Sequence, residues 1–300
     1  MTPVVLFLFN RPGTTATVFD VIRRVRPATL LAIADAPRPD HPEDDDACAA
    51  ARAVLDAVDW PCDLRRQFAG EHLGLKSRIE SGLTWVFSQC ERAIVLEDDC
   101  VPEISFFRYC EELLDRYADD RTVLSISANN FQFGRVRGGG SYYFSRHAQI
   151  WGWATWARAW ALHDPEMSEW PAAKAEGWLD GLLATRHERQ YWSYLFDRNY
   201  RTRQTWDYAW TFSCWRRGGV HVVPNINLVS NIGFGTAATH TRLADSLFAL
   251  LPTAPMEFPL VHPPTTAVDV EADAFTEDVL YSGNLRRAFE RGRDRKRRHQ

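Results

Sequence analysis

The run Ala93-Ile94-Val95-Leu96-Glu97-Asp98-Asp99 joins four apolar residues to three carboxylates. An unbroken apolar run of this length suits a strand buried on both faces of a parallel sheet. In open α/β sheets ligands sit beyond the carboxyl ends of the strands, so the acids are placed to face one. Adjacent carboxylates repel one another and favour a cation between them. Hard oxygen donors suit Mn2+ or Mg2+, and such ions commonly bridge to phosphate. A metal–diphosphate site is the chemistry this run can do. Without the buried strand in front, the same acids would read as a solvated loop.

Two other apolar runs end in polar residues: Val4 to Phe9 at Asn10-Arg11, and Leu30 to Ala34 at Asp35. If these strands are parallel to the one entering Glu97, all three ends project on one edge of the sheet. An arginine, a carboxylate able to accept from a base or ribose, and a metal site together suit a nucleotide diphosphate. Singly, Arg11 and Asp35 are also ordinary turn residues. The chain has no GxGxxG and no GxxxxGK[ST], so dinucleotide and P-loop readings lack support.

Trp206-Asp207-Tyr208-Ala209-Trp210 sets one acid among aromatics. Partial desolvation raises a carboxylate pKa and improves it as a general base. The same letters describe a core helix that Asp207 caps. Gly233-Phe234-Gly235 suits a mobile lid that closes over a substrate. His240, a few residues on, can complete a metal shell, meet a phosphate, or do neither.

The elements that must position these groups alternate in the first half. Strands are expected at Val4–Phe9, Leu30–Ala34, Cys62–Gln67, from Ala93 into Glu97, and at Thr122–Ser127. Helices are expected from Thr14 or Thr15 to Arg26, over Ala47–Val58, over Leu75–Gln89 and over Ser105–Tyr117, with Ala36–Asp46 a Pro-rich loop. Such alternation predicts a three-layer α/β/α fold around a mainly parallel sheet. Past Asn130 the pattern loosens. Trp151–Trp156 leads into a helix through Trp160, Arg186–Tyr200 reads as helix, and Val220–Val223 as strand. The tryptophans from Trp151 to Trp160 are core or a sugar platform. No linker stands out, which predicts one domain over 1–265, with a nucleotide-binding half (1–130) and an acceptor-facing half (131–265), followed by a C-terminal segment (266–300).

A chain of 300 residues, 45% hydrophobic, is long enough for one large α/β domain. Its formal charge of −4 gives no reason to expect nucleic acid as a partner. The six cysteines are scattered, without CxxC spacing, and read as reduced thiols of a cytoplasmic protein. Neither a signal peptide nor an 18-residue apolar stretch is apparent. Basic residues crowd the end, from Arg286 to Arg298. They suit either a frayed solvated tail or peripheral attraction to the inner, anionic face of a membrane.

Taken in order, these motifs resemble the GT-A-fold glycosyltransferases related to N-acetylglucosaminyltransferase I, and still more the bacterial glycosyltransferase-like proteins of that group. Val4 to Arg11 resembles the first strand and its Arg turn, and Asp35 falls where the family has a uracil-contacting aspartate. Val95 to Asp99 matches V-x-E-D-D, and Pro102 with Phe106-Phe107 resembles the P-x-F-F that follows. Trp206-Asp207 with Trp210 is similar to the family's W-D-D-W segment, and Pro224 to Gly235 to the stretch before a substrate-closing loop. The family's second aspartate is Tyr208 here, and the next tryptophan stands one residue later.

The resemblance implies an inverting transfer from a nucleotide sugar, UDP-linked in the family, that uses Mn2+ or Mg2+. It implies Asp99 as metal ligand, Asp98 on the ribose, Glu97 on the donor sugar, Arg11 and Asp35 on phosphate and base, and Asp207 as general base. For a cytoplasmic enzyme the expected acceptor is a glycan or lipid-linked precursor in cell-surface glycan biosynthesis, a use that suits the basic tail. Two other classes stay open. A nucleotidyltransferase would release pyrophosphate, although its usual Gly-rich basic turn is reduced here to Asn10-Arg11-Pro12-Gly13. A non-catalytic nucleotide- or carbohydrate-binding protein would bind without turnover.

Overall fold

The computed structural model describes residues 1–234 and 248–283. β1 (Val4–Leu8) is buried at every position. Its side chains alternate between two apolar layers, with Val4, Leu6 and Leu8 on one face and Val5 and Phe7 on the other. At about 1.5–3 kcal/mol for each large side chain removed from water, this strand anchors both halves of the core.

α1 (Pro12–Val25) begins with Pro12 in its first turn, where the missing N–H costs nothing. The expected threonine cap is not used as one. Thr14 and Thr15 instead donate their hydroxyls back to the Arg11 carbonyl. After β2 (Thr29–Ala34) the loop expected at 36–46 is cut short. Helix α2 (Glu43–Ala53) already starts at Glu43, with four acids in its first turn. Carboxylates there complement the positive end of the helix dipole, so a charge run that looked like loop is helix start. α2 stops at Ala53 and one 3-10 turn follows, short of the helix end expected at Val58.

β3 (Asp63–Phe68), α3 (Leu75–Gln89) and β4 (Arg92–Glu97) follow. β5 (Cys100–Pro102), α4 (Ser105–Arg116) and β6 (Val123–Ser127) come next. The looser second half holds β7 (Tyr142–Ser145) and β8 (Trp153–Trp156). It continues with α5 (Ala157–Trp160), α6 (Trp170–Ala175), α7 (Trp178–Leu182) and α8 (Arg186–Thr202). α9 (Asp207–Arg216), β9 (Val220–Pro224), β10 (Val229–Asn231) and α10 (Val270–Leu280) complete it. The helix expected through Trp160 is the single turn α5, and the segment that leads into it contains strand β8. Its bulky aromatics and Thr155 suit a pleated, buried strand better than a helix.

Among the described residues the main sheet has the order β3-β2-β1-β4-β8-β6-β9-β7. β3, β2, β1 and β4 run parallel, as expected. β8 is inserted antiparallel between β4 and β6, and β7 runs antiparallel to β9. The sheet is therefore mixed but mainly parallel. α1, α2 and α4 cover one face and α3 and α5 the other, the three-layer arrangement expected. Trp153, Trp156 and Trp160 are core residues. α6 to α9 build a separate aromatic core around Trp170, Trp192, Phe196, Phe212 and Trp215.

β5 and β10 form a short antiparallel ribbon beyond the end of β4. α10 docks on β7 and α8 through buried acids: Ser145 Oγ donates to Asp273 Oδ1 at 2.6 Å, and Trp192 Nε1 to Glu277 Oε1 at 2.6 Å. All six cysteines are free. Among the described residues no helix is long and apolar enough to cross a membrane.

Candidate functional site

The strand order turns back at β1, with β2 on one side and β4 on the other. That switch point opens a crevice at the carboxyl ends of β1 and β4. Parallel register puts Phe7 beside Glu97 and Leu8 beside Ala34. Arg11, Asp35 and the three acids therefore share one edge of the sheet.

Arg11 closes the crevice. Its Nη1 donates to Asp99 Oδ2 at 2.9 Å, and its Nη2 donates to Asp98 Oδ1. Asp98 Oδ2 also accepts from the Phe9 N–H at 3.2 Å. The two acids differ in exposure. The Asp98 side chain is 3% exposed and that of Asp99 15%. Asp98 thus lies behind Arg11, outside the lining of the cleft, while Asp99 faces it. Burial pushes Asp98 up to about 6, against the pull of Arg11. Burial also works against the Arg11 charge, but Asp98 and Asp99 together hold it above its ordinary value. Glu97 is held well above the usual carboxylate range, by burial first and then by Asp99 and Asp98. One guanidinium does not neutralise three acids.

Asp35 is occupied elsewhere. Its Oδ1 accepts from the backbone N–H groups of Ala36 and Leu73, and its Oδ2 from that of Gly74, each at 2.9 Å. It ties the end of β2 to the turn that starts α3. It does not line the cleft.

The opposite wall comes from far along the chain. Asp207 is the first residue of α9. Trp206 stacks on Trp153 at 5.9 Å, and Trp210 is fully buried against the same ring. These aromatics seat the helix start, so that Asp207 lines the cleft beside Trp206 and Tyr208. The cleft holds about 340 Å3 and is lined by Arg11, Glu97, Asp99, Trp151, Asp207 and Phe234 among others. The Asp207 charge contributes to raising Glu97 across it.

The third side is the turn after β10. The β5–β10 ribbon pairs Cys100 with Asn231, and the Ile232 N–H donates to the Asp99 carbonyl at 2.8 Å. This brings Gly233 against the Asp99 carboxylate, where a Cβ would overlap it. Phe234 meets Trp151 edge-on at 5.6 Å. Gly235, His240 and the basic tail from Arg286 lie outside the described residues.

The sequence motifs did not point to Lys76 or Asn231, which also line the cleft, as does Trp151 from the cluster expected to be core or a sugar platform. Lys76 follows Gly74, whose φ of 77° is a left-handed turn at the start of α3. That glycine was the available signal. Lys76 Nζ donates to Glu80 Oε2 at 2.7 Å, and Glu80 Oε1 lies 3.0 Å from His163 Nε2.

Among the described residues no group of three or more His, Cys, Asp or Glu is placed to hold a metal by itself. A Mn2+ or Mg2+ site does not need one. Such ions are commonly held by one or two carboxylates, with phosphate and water completing the shell. Asp99, facing the cleft within an excess of negative charge, fits that donor pattern.

No family model matches the chain and no curated protein matches it. The resemblance stated above therefore rests on its own motifs. Solved structures with some likeness include mouse xyloside xylosyltransferase 1 in its apo form, at 11% identity and a TM-score of 0.37 over 72% of this chain and 82% of that one. Another is mannose-1-phosphate geranyltransferase from Thermus thermophilus, at 11% identity and a TM-score of 0.36 over 75% of this chain and 74% of that one. HddC from Yersinia pseudotuberculosis is at 10% identity and 0.34 over 53% and 78%. Likenesses of this size assign no activity.

Proposed function

We propose that the protein is a metal-dependent glycosyltransferase that moves a sugar from a nucleotide sugar, UDP-linked, to an acceptor hydroxyl with inversion. The observation that carries the reading is the placement of Asp207 on the same cleft as Arg11, Glu97 and Asp99, although more than a hundred residues separate the two walls in sequence. A donor end with cation-favouring acids and a separate carboxylate at the far wall are what an in-line displacement requires.

In this reading Asp99 holds Mn2+ or Mg2+, which supplies charge neutralisation for the departing diphosphate. Arg11 adds a second positive group on the same side. Glu97 takes the donor sugar. Asp98 and Asp35 act from behind, one by holding Arg11 and the other by holding the turn before α3. Asp207 accepts the acceptor's hydroxyl proton as that oxygen bonds to the anomeric carbon and the bond to the diphosphate breaks. Phe234 and Trp151 cover the mouth and limit loss of the donor to water.

Calorimetry with UDP and UDP-sugars, with and without Mn2+, tests the donor half. Binding that needs Mn2+ and is lost in Asp99→Ala is expected; Mn2+-independent binding that survives the substitution removes the metal assignment. Asp207→Asn should keep donor binding and lose transfer by about 100- to 10,000-fold. Pyrophosphate release from a nucleoside triphosphate would instead point to a nucleotidyltransferase.

A further inference from the structure

A second cavity, of about 260 Å3, shares a wall with the cleft. Ile150, Trp151, Asp207 and Tyr208 line both. Asp207 therefore looks into two spaces, one towards the acids and one away from them.

The wall of the second cavity contains an amide pair with unmet hydrogen bonds. Asn129 Nδ2 donates to Gln149 Oε1 at 3.0 Å, and the two residues are 1% and 3% exposed. Asn129 Oδ1 and Gln149 Nε2 are buried and have no partner, and neither has Trp210 Nε1 on the same wall. Turning both amides over leaves the same inventory, one free acceptor and one free donor. A buried unpaired polar group costs about 1–3 kcal/mol, so three on residues that line one cavity call for an explanation. A hydroxyl both donates and accepts, and adjacent ring hydroxyls present that pair at a fixed spacing.

Around the amides stand flat apolar faces. Trp151, Tyr191, Trp192, Tyr208 and Tyr281 line the cavity. Burial raises the phenols of Tyr191, Tyr208 and Tyr281, keeping them neutral donors. The charge on the wall is the Asp207 carboxylate, which repels an anionic ring. Leu280 and Tyr281 come from the end of α10, so the helix docked through Asp273 and Glu277 helps to close this space.

Building on the glycosyltransferase reading, we infer that this cavity is the acceptor subsite and takes an uncharged sugar ring, its adjacent hydroxyls read by the Asn129–Gln149 amide pair. The ring's apolar face packs on the aromatic walls, and the hydroxyl that reacts points through the shared wall to Asp207.

The test is saturation-transfer NMR on the full-length protein with UDP and diamagnetic Mg2+, probing methyl glucoside, methyl galactoside, methyl N-acetylglucosaminide and methyl glucuronide. UDP affinity is measured by calorimetry on the same samples. At least one neutral glycoside should bind and the glucuronide should not. In the double variant Asn129→Leu with Gln149→Leu, glycoside binding should weaken by about tenfold or more while UDP affinity holds. Its unfolding midpoint should stay level or rise, because two unpaired polar ends are removed, whereas a merely structural pair would lower it. Leu280→Trp, at the half-buried edge, fills the cavity without touching the amides and should also remove the glycoside signal. Glucuronide binding equal to the neutral sugars, or neutral binding unchanged in Leu280→Trp, overturns the assignment. Loss of UDP binding in the wild type strikes at the donor reading instead and leaves the glycoside result to judge this cavity.

Discussion

Gly233 lies against the Asp99 carboxylate so closely that a Cβ on it would overlap Oδ2 and sit 2.9 Å from Asp99 Cβ. The φ of Gly233 is not left-handed, so the glycine is required by contact and not by backbone conformation. Gly233→Ala should therefore move Asp99 rather than strain the turn. Misplacing a reacting or binding group by about 1 Å can cost about 100-fold. Mn2+-dependent UDP affinity is expected to fall by about ten- to hundredfold, read by calorimetry. Wild-type affinity in this variant would mean that Asp99 does not hold the metal.

Arg11 is the counterion of a nearly inaccessible acid. Arg11→Met leaves Asp98 without its partner, and stranding a buried charge costs about 3–5 kcal/mol. Arg11 is 22% exposed at the cleft, so solvent screens part of that loss and the lower end, about 3 kcal/mol, is expected in urea unfolding. Arg11→Lys should recover little, because one ammonium cannot span two carboxylates as the planar fork does.

Asp35 binds three backbone N–H groups with two oxygens. In Asp35→Asn an amide NH2 would face at least one of those donors. A loss of about 1–3 kcal/mol is expected. The backbone amides of Leu73 and Gly74 should also exchange faster with solvent. Unchanged exchange there would show that the turn holds itself.

His221 sets an acid limit on stability. It is fully buried, with Nδ1 2.7 Å from Ser125 Oγ. Burial pushes its pKa down from 6.5 to about 3, with His147 adding to the effect. The folded value lies below the unfolded one, so between those pH values the unfolded chain binds more protons. Stability should fall as pH drops from 6.5 towards 3, by on the order of 4 kcal/mol at most from this group. Urea midpoints at pH 7, 5 and 4 measure it, and His221→Gln should flatten the slope.

Local pattern carried the front half well. Leu75–Gln89 is helix over the expected span, and the strands into Leu8, Ala34 and Glu97 pair in parallel. Each is a local signal, period two or 3.6, or an apolar run ending in a charge. β8 was not legible, because Trp153–Trp156 is a strand only through its antiparallel neighbours β4 and β6. The acids 43–46 read as loop in the sequence because a charge run looks alike in a loop and in a first helical turn.

The same divide runs through the site. Three apolar runs ending in polar residues already put Arg11, Asp35 and Glu97-Asp98-Asp99 on one edge, since parallel strands bring like ends together. What each side chain does there came from the folded packing. Asp35 turned to the backbone of the next loop, Asp98 sank behind Arg11, and Asp99 stayed at the surface of the cleft with Gly233 pressed against it. Asp207 reached the cleft only because Trp206 and Trp210 seat α9 on Trp153. Those pairings join residues far apart in the chain, and their energies come from packing and desolvation, which no local spacing records.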